Sequence, residues 1–95
     1  MISVYAKNVV KESKVEEFIK LAKELIEETR KENGNISYEL IRVVNTSNEL
    51  VFLEKWENNN VLDIHMKTKH FTTIVPKLGE MLESEMEIKI HEIII

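Results

Sequence analysis

Ninety-five residues with 43% apolar and 32% charged side chains suit one small globular domain, residues 1–95, too short for two independent cores. A formal net charge of −4 and a pI near 5.4 argue against nucleic acid or an anionic membrane as partner. No cysteine is present, which removes disulfides, thiolate metal sites and a thiol nucleophile. The opening M-I-S-V-Y-A-K-N has only a brief apolar run before Lys7, too short for a signal peptide or membrane helix, so a cytoplasmic location is expected.

Residues 2–10 alternate as a first strand, with Ile2, Val4, Ala6 and Asn8 on one side and Ser3, Tyr5, Lys7 and Val9 on the other. Asn8 is a polar amide ending an apolar stripe; it either borders the next loop or hydrogen-bonds at a pocket rim. Ser13 and Glu16 form an S-x-x-E capping box, which predicts a helix start. Val15, Phe18, Ile19, Ala22, Leu25, Ile26 and Thr29 then recur at helical spacing, with charged residues on the remaining face. Asn33-Gly34 is expected to end this helix, glycine taking the left-handed position. Ile36 to Val44 reads as a second strand, turning through Asn45-Thr46-Ser47-Asn48 into a third. Tyr38 on the second strand is a core aromatic or a pocket-lining hydroxyl.

The third strand, with Leu50, Phe52, Glu54 and Trp56 on one side, runs into the chain's richest stretch, E-K-W-E-N-N-N-V-L-D-I-H-M-K-T-K-H-F. One of its three asparagines is expected to cap a helix that opens with Val61 and Leu62, carries Asp63 in its first turn and reaches His65. Phe71, Ile74, Val75, Leu78, Met81 and Leu82 keep helical spacing, with a kink or break predicted at Pro76. Glu85 to Ile95 closes the chain as a strand. The order β-α-β-β-α-β is the ferredoxin-like α+β pattern, a four-stranded antiparallel sheet with helices on one face. Ile41, Val43, Val51 and Leu53 fall on the other face, which predicts a sheet-to-sheet homodimer.

Signatures for bound cofactors are missing. Phosphate and dinucleotide loops need glycines, and the chain has only Gly34 and Gly79. His65 and His70 are five apart, about 140° around a continuous helix, so they diverge and no metal site is expected. Acid–base chemistry in an apolar pocket remains, with His65 as the leading base because imidazole titrates near neutrality. The alternative for His65 is a half-buried structural histidine. Glu54 on an apolar strand needs a partner, and Arg42 on the paired strand is the expected one.

Glu54-x-Trp56, then Leu62, His65 and Thr68-x-His70, together with the order of elements, resembles the antibiotic-biosynthesis monooxygenase family, which includes the quinol monooxygenases. The resemblance implies a dimeric α+β barrel that oxidises small quinol-like or polyphenolic aromatics with O₂ and no metal, haem or flavin. It implies His65 as catalytic base, and Asn8, Tyr38, Glu54, Trp56, His70 and Phe71 around the substrate. A haem-degrading branch of the fold uses Asn, Trp and His; here Asn8 matches, but His65 and Val75 occupy the other two positions. A further branch isomerises a phosphorylated signalling sugar, for which Lys67 or Lys69 would meet the phosphate. A dimeric ligand-binding or stress module without catalysis is the non-enzymatic alternative.

Overall fold

The alternation along the first strand is realised as β1 (Ile2–Val9), whose even-numbered residues are all buried and whose odd-numbered ones are all half-buried. The computed structural model describes residues 1–95, with β2 (Asn35–Arg42), β3 (Glu49–Trp56) and β4 (Glu87–Glu92) completing the sheet. The strand order is β2-β3-β1-β4 and every pairing is antiparallel, the ferredoxin-like arrangement expected from the element order. Helices α1 (Val15–Thr29), α2 (Asn59–Met66) and α3 (Lys69–Gly79) lie on one face. No helix is long and apolar enough to cross a membrane.

Register explains where the core sits. Ile2, Val4, Ala6 and Asn8 stand opposite Trp56, Glu54, Phe52 and Leu50, so the buried sides of β1 and β3 form one continuous surface. Phe18, Ala22, Leu25 and Ile26 of α1 and Ile74 and Leu78 of α3 close over it. Each large side chain buried there contributes about 1.5–3 kcal/mol relative to exposure. Glu54 and Trp56 therefore face the helices.

Several boundaries differ from expectation, each for a local reason. Ser13 lies inside a short 3₁₀ turn, Glu12–Lys14, so the helix begins after Lys14 with no side-chain cap and the capping box does not form. Helix α1 stops at Thr29; residues 30–34 then turn, and Gly34 does adopt positive φ, +87°. A Cβ at Gly34 would come within 2.6 Å of Val61, so the close approach of the turn to α2 also needs glycine. Asp63 falls outside the first turn of α2, which starts at Asn59. The break in the second helical segment comes at Lys67–Thr68, and α3 continues through Pro76 to Gly79. Strand β4 is shorter than expected, ending at Glu92.

The outer sheet face is less bare than the pattern suggested. Val51 is fully buried within the chain, Val43 and Leu53 are half-buried, and Ile41 is exposed. Lys7 and Glu49 form an ion pair at 3.5 Å, adding charge to that face. A second apolar set lies on the helix side: Ile88 and Ile90 of edge strand β4, 55% and 54% exposed beside Val4 and Ala6.

Candidate active site

The break between α2 and α3 builds the site, and Thr68 makes the break. Its hydroxyl donates to the His65 carbonyl at 2.7 Å and accepts the Phe71 N–H at 3.3 Å. One side chain thus closes α2 and caps α3. At the other end of α2, the Asn58 side chain caps by accepting the Val61 N–H at 3.0 Å. Because the axis changes direction at Thr68, His65 and His70 converge instead of diverging, and their ring centroids lie 6.1 Å apart. The 140° separation held only for an unbroken helix.

They converge on Glu32, a residue that sequence reasoning missed. Glu32 sits in the turn after α1, held by its N–H donating to the Thr29 carbonyl at 3.0 Å and its own carbonyl accepting from Asn35 at 3.3 Å. Its Oε2 contacts His65 Nδ1 and His70 Nε2, each at 2.7 Å. A carboxylate only accepts, so the neutral His65 ring carries its proton on Nδ1 and its lone pair on Nε2. No local signal marks Glu32, since its partners are 33 and 38 residues away. Arg30, in the same turn, donates twice to the Tyr38 carbonyl, at 3.1 and 2.8 Å, and so ties the turn to β2.

Next to this cluster is an apolar cavity of about 60 Å³ between the sheet and the α2–α3 roof. Twelve of its fourteen lining residues are hydrophobic, and the other two are Glu54 and His65. Phe71, Met66 and Leu62 line it from above, Val4, Ala6, Tyr38 and Phe52 from the sheet, and Ile88 and Ile90 along the β4 edge. Three of the residues lining it carry a polar atom without a hydrogen-bond partner in the chain. His65 Nε2 is fully buried and unpaired. The Glu54 carboxyl has Oε1 occupied by the Trp56 N–H at 2.9 Å and Oε2 free, and the Tyr38 hydroxyl makes no bond within the chain.

Burial governs the protonation of all three. It pushes the Glu54 carboxyl up to about 7, opposed by the Trp56 hydrogen bond and assisted by the Glu32 charge. Burial likewise raises the Tyr38 phenol, with Glu54 and Glu32 adding to the shift, so it stays protonated. Burial lowers the His65 imidazole, partly offset by its bond to Glu32, which keeps the ring neutral at pH 7. A neutral base and a carboxyl raised toward neutrality thus line one apolar cavity.

The remaining residues singled out from sequence divide clearly. Tyr38, Glu54, His65 and Phe71 are brought together at the cavity. Trp56 is fully buried behind it, 4.5 Å from the His65 ring centroid, and His70 lies on the outer side of Glu32. Asn8 is buried away from it, its amide donating to the Ala6 and Leu50 carbonyls. Arg42 is exposed and opposite Leu50, so the expected Arg42–Glu54 ion pair is replaced by the Trp56 hydrogen bond.

A ferredoxin-like sheet whose helices roof an apolar pocket, with a carboxylate-held histidine among its lining residues, places the chain among small α+β domains with an apolar pocket. Residues 1–77 match the sequence profile of the family described as antibiotic biosynthesis monooxygenase. YcnE of Bacillus subtilis, a monooxygenase by its provisional name, is 36% identical over 88 residues, 93% of each chain. An uncharacterised Synechocystis protein is 41% identical over 84 residues, 88% of this chain, which spans 57% of that longer protein. Among solved structures, a conserved protein of Methanosarcina mazei superposes with a TM-score of 0.95 at 45% identity, covering 96% of this chain and 90% of that one. The crystal structure of an antibiotic biosynthesis monooxygenase gives a TM-score of 0.93 at 29% identity over 99% of both chains. The chain belongs to the antibiotic biosynthesis monooxygenase family.

Proposed function

We propose that the protein oxygenates a small electron-rich phenol or quinol with O₂, using His65 as general base. The observation that carries this reading is the fully buried, unpartnered Nε2 of His65, a residue that lines the apolar cavity, with Nδ1 held by Glu32. Glu32 sets the tautomer that leaves Nε2 free to accept a proton. The substrate hydroxyl gives its proton to Nε2, and the resulting aryloxide is electron-rich enough to add O₂ at a ring carbon. His65 returns its proton to the resulting peroxide, and the hydroperoxide collapses by losing OH together with the hydrogen of the same ring carbon, which yields a quinone and one water. Phenol plus O₂ gives quinone plus water, so no outside reductant is required. Glu54, in its protonated form, donates a hydrogen bond to a substrate oxygen, and the Tyr38 hydroxyl is placed to do the same.

The cavity is smaller than the roughly 150 Å³ that admits a single benzene ring, so binding requires movement of the roof or of the β4 edge. Flexible Met66 and Met86 in its lining are suited to that repacking. No lysine or arginine lines it, and Lys67 and Lys69 are exposed, which disfavours a phosphorylated sugar as substrate. Oxygen uptake by the purified protein with a panel of naphthols and hydroquinones tests the reading. Uptake matched one-to-one by quinone formation supports it. Ligand binding with no uptake anywhere in the panel refutes it.

A further inference from the structure

We propose that Glu32, His65 and His70 form a site for a divalent transition metal such as Zn²⁺, and that filling it disables His65 as a base. Two imidazole nitrogens and one carboxylate oxygen, the donor set that suits zinc and its neighbours, lie within 4.8 Å of one another. A metal about 2 Å from each would space the three donors about 3.3 Å apart. The present contacts bracket that spacing, 2.7 Å from Oε2 to each nitrogen and at most 4.8 Å between any two donors. Glu32 belongs to a turn and not to a helix, so its carboxylate can swing by the fraction of an ångström required. The Glu32 and His70 side chains keep 12% and 20% of their surface in contact with solvent, which gives the ion an entry path and leaves room for a water as fourth ligand.

The consequence follows from imidazole chemistry and rests on the base role proposed above. A metal bound to Nδ1 of neutral imidazole leaves the ring proton on Nε2. Nε2 then donates and cannot take the substrate proton. Hard cations that prefer oxygen, Mg²⁺ and Ca²⁺, have no reason to bind this donor set.

Calorimetric titration of the untagged protein with Zn²⁺, backed by Co²⁺ visible absorption, tests the site without any substrate. Expected are one Zn²⁺ per chain, cobalt bands showing nitrogen ligation, no heat with Mg²⁺, and affinity at least about tenfold weaker in both His70→Ala and Glu32→Gln. His91→Ala, which alters only an exposed strand histidine, should bind as wild type does. His70 is partly exposed, so circular dichroism should show His70→Ala folded even if Glu32→Gln is not. Absence of saturable Zn²⁺ binding, or equal affinity in wild type and folded His70→Ala, overturns the site. On a substrate that turns over, Zn²⁺ should inhibit wild type at a concentration at least tenfold below that needed for His70→Ala. Full zinc occupancy with unchanged turnover overturns the switch. Because binding is read without substrate, its failure is separable from failure of the oxygenase reading.

Discussion

Replacing Glu54 by Gln tests whether the cavity holds a carboxylic acid near neutrality. The substitution preserves size and an oxygen for the Trp56 N–H, so it removes the titration and little else. In the folded chain the carboxyl is raised from 4.5 to about 7. Between those values the native state holds a proton that the unfolded chain has released. Glu54 therefore contributes stability that is fully present below about pH 4.5 and is lost as pH rises through about 7. At 1.36 kcal/mol per pH unit, that interval corresponds to about 3 kcal/mol. A small domain is held together by only about 5–15 kcal/mol, so the effect is measurable.

Other titratable groups lie near Glu54: His65 of α2 and Tyr38 of β2 line the same cavity, and Glu32 in the turn after α1 adds its charge. His65, shifted down, acts in the opposite sense, because its stabilisation is lost as pH falls through its ordinary range. The wild-type curve mixes the two, and only the difference between wild type and Glu54→Gln isolates the carboxyl. Urea unfolding followed by the fluorescence of Trp56, the one tryptophan and fully buried, supplies the measurement at fixed protein concentration. From pH 4.5 to 8, Glu54→Gln should gain about 3 kcal/mol on wild type. Two parallel curves, differing by a constant across that range, would refute the argument.

On a confirmed substrate, His65→Ala should lower kcat by about 10²- to 10⁴-fold with circular dichroism unchanged, and wild-type turnover in that variant would remove it from the mechanism. Gly34→Ala should destabilise by about 1–2 kcal/mol or more, since it combines φ of +87° with a clash against Val61; unchanged urea midpoints would show the turn to be adaptable. We also expect a homodimer through the outer sheet face, read by light scattering as twice the 11.2 kDa chain mass. Leu53→Lys, on that face and only half-buried, should shift it to monomer, and a monomer mass in wild type ends the proposal. Val51 is the wrong residue for this test, being fully buried within its own chain.

Periodicity alone determined the element order and the fold. A period of two put Ile2, Val4 and Ala6 on one side of β1 and Phe52, Glu54 and Trp56 on one side of β3, and a period near 3.6 lined up Phe18, Ala22 and Leu25 along α1; the register of β1 on β3 then set which side is buried. Those signals are local, repeat several times and need no knowledge of distant residues. Imidazole could be proposed as the base from sequence because that proposal depends on residue type. What the tertiary structure decided depends on single contacts between distant positions. One hydroxyl at Thr68 breaks the helix and turns His70 back toward His65, where the helical angle alone sent them apart. Glu32 meets both rings only because the turn after α1 is folded against the junction of α2 and α3. Glu54 takes its partner from Trp56, two residues on along the same strand face, because Arg42 ends up in solvent at the sheet edge. A carboxylate chooses among partners by distance and burial, and neither quantity is written in the spacing of residues along the chain.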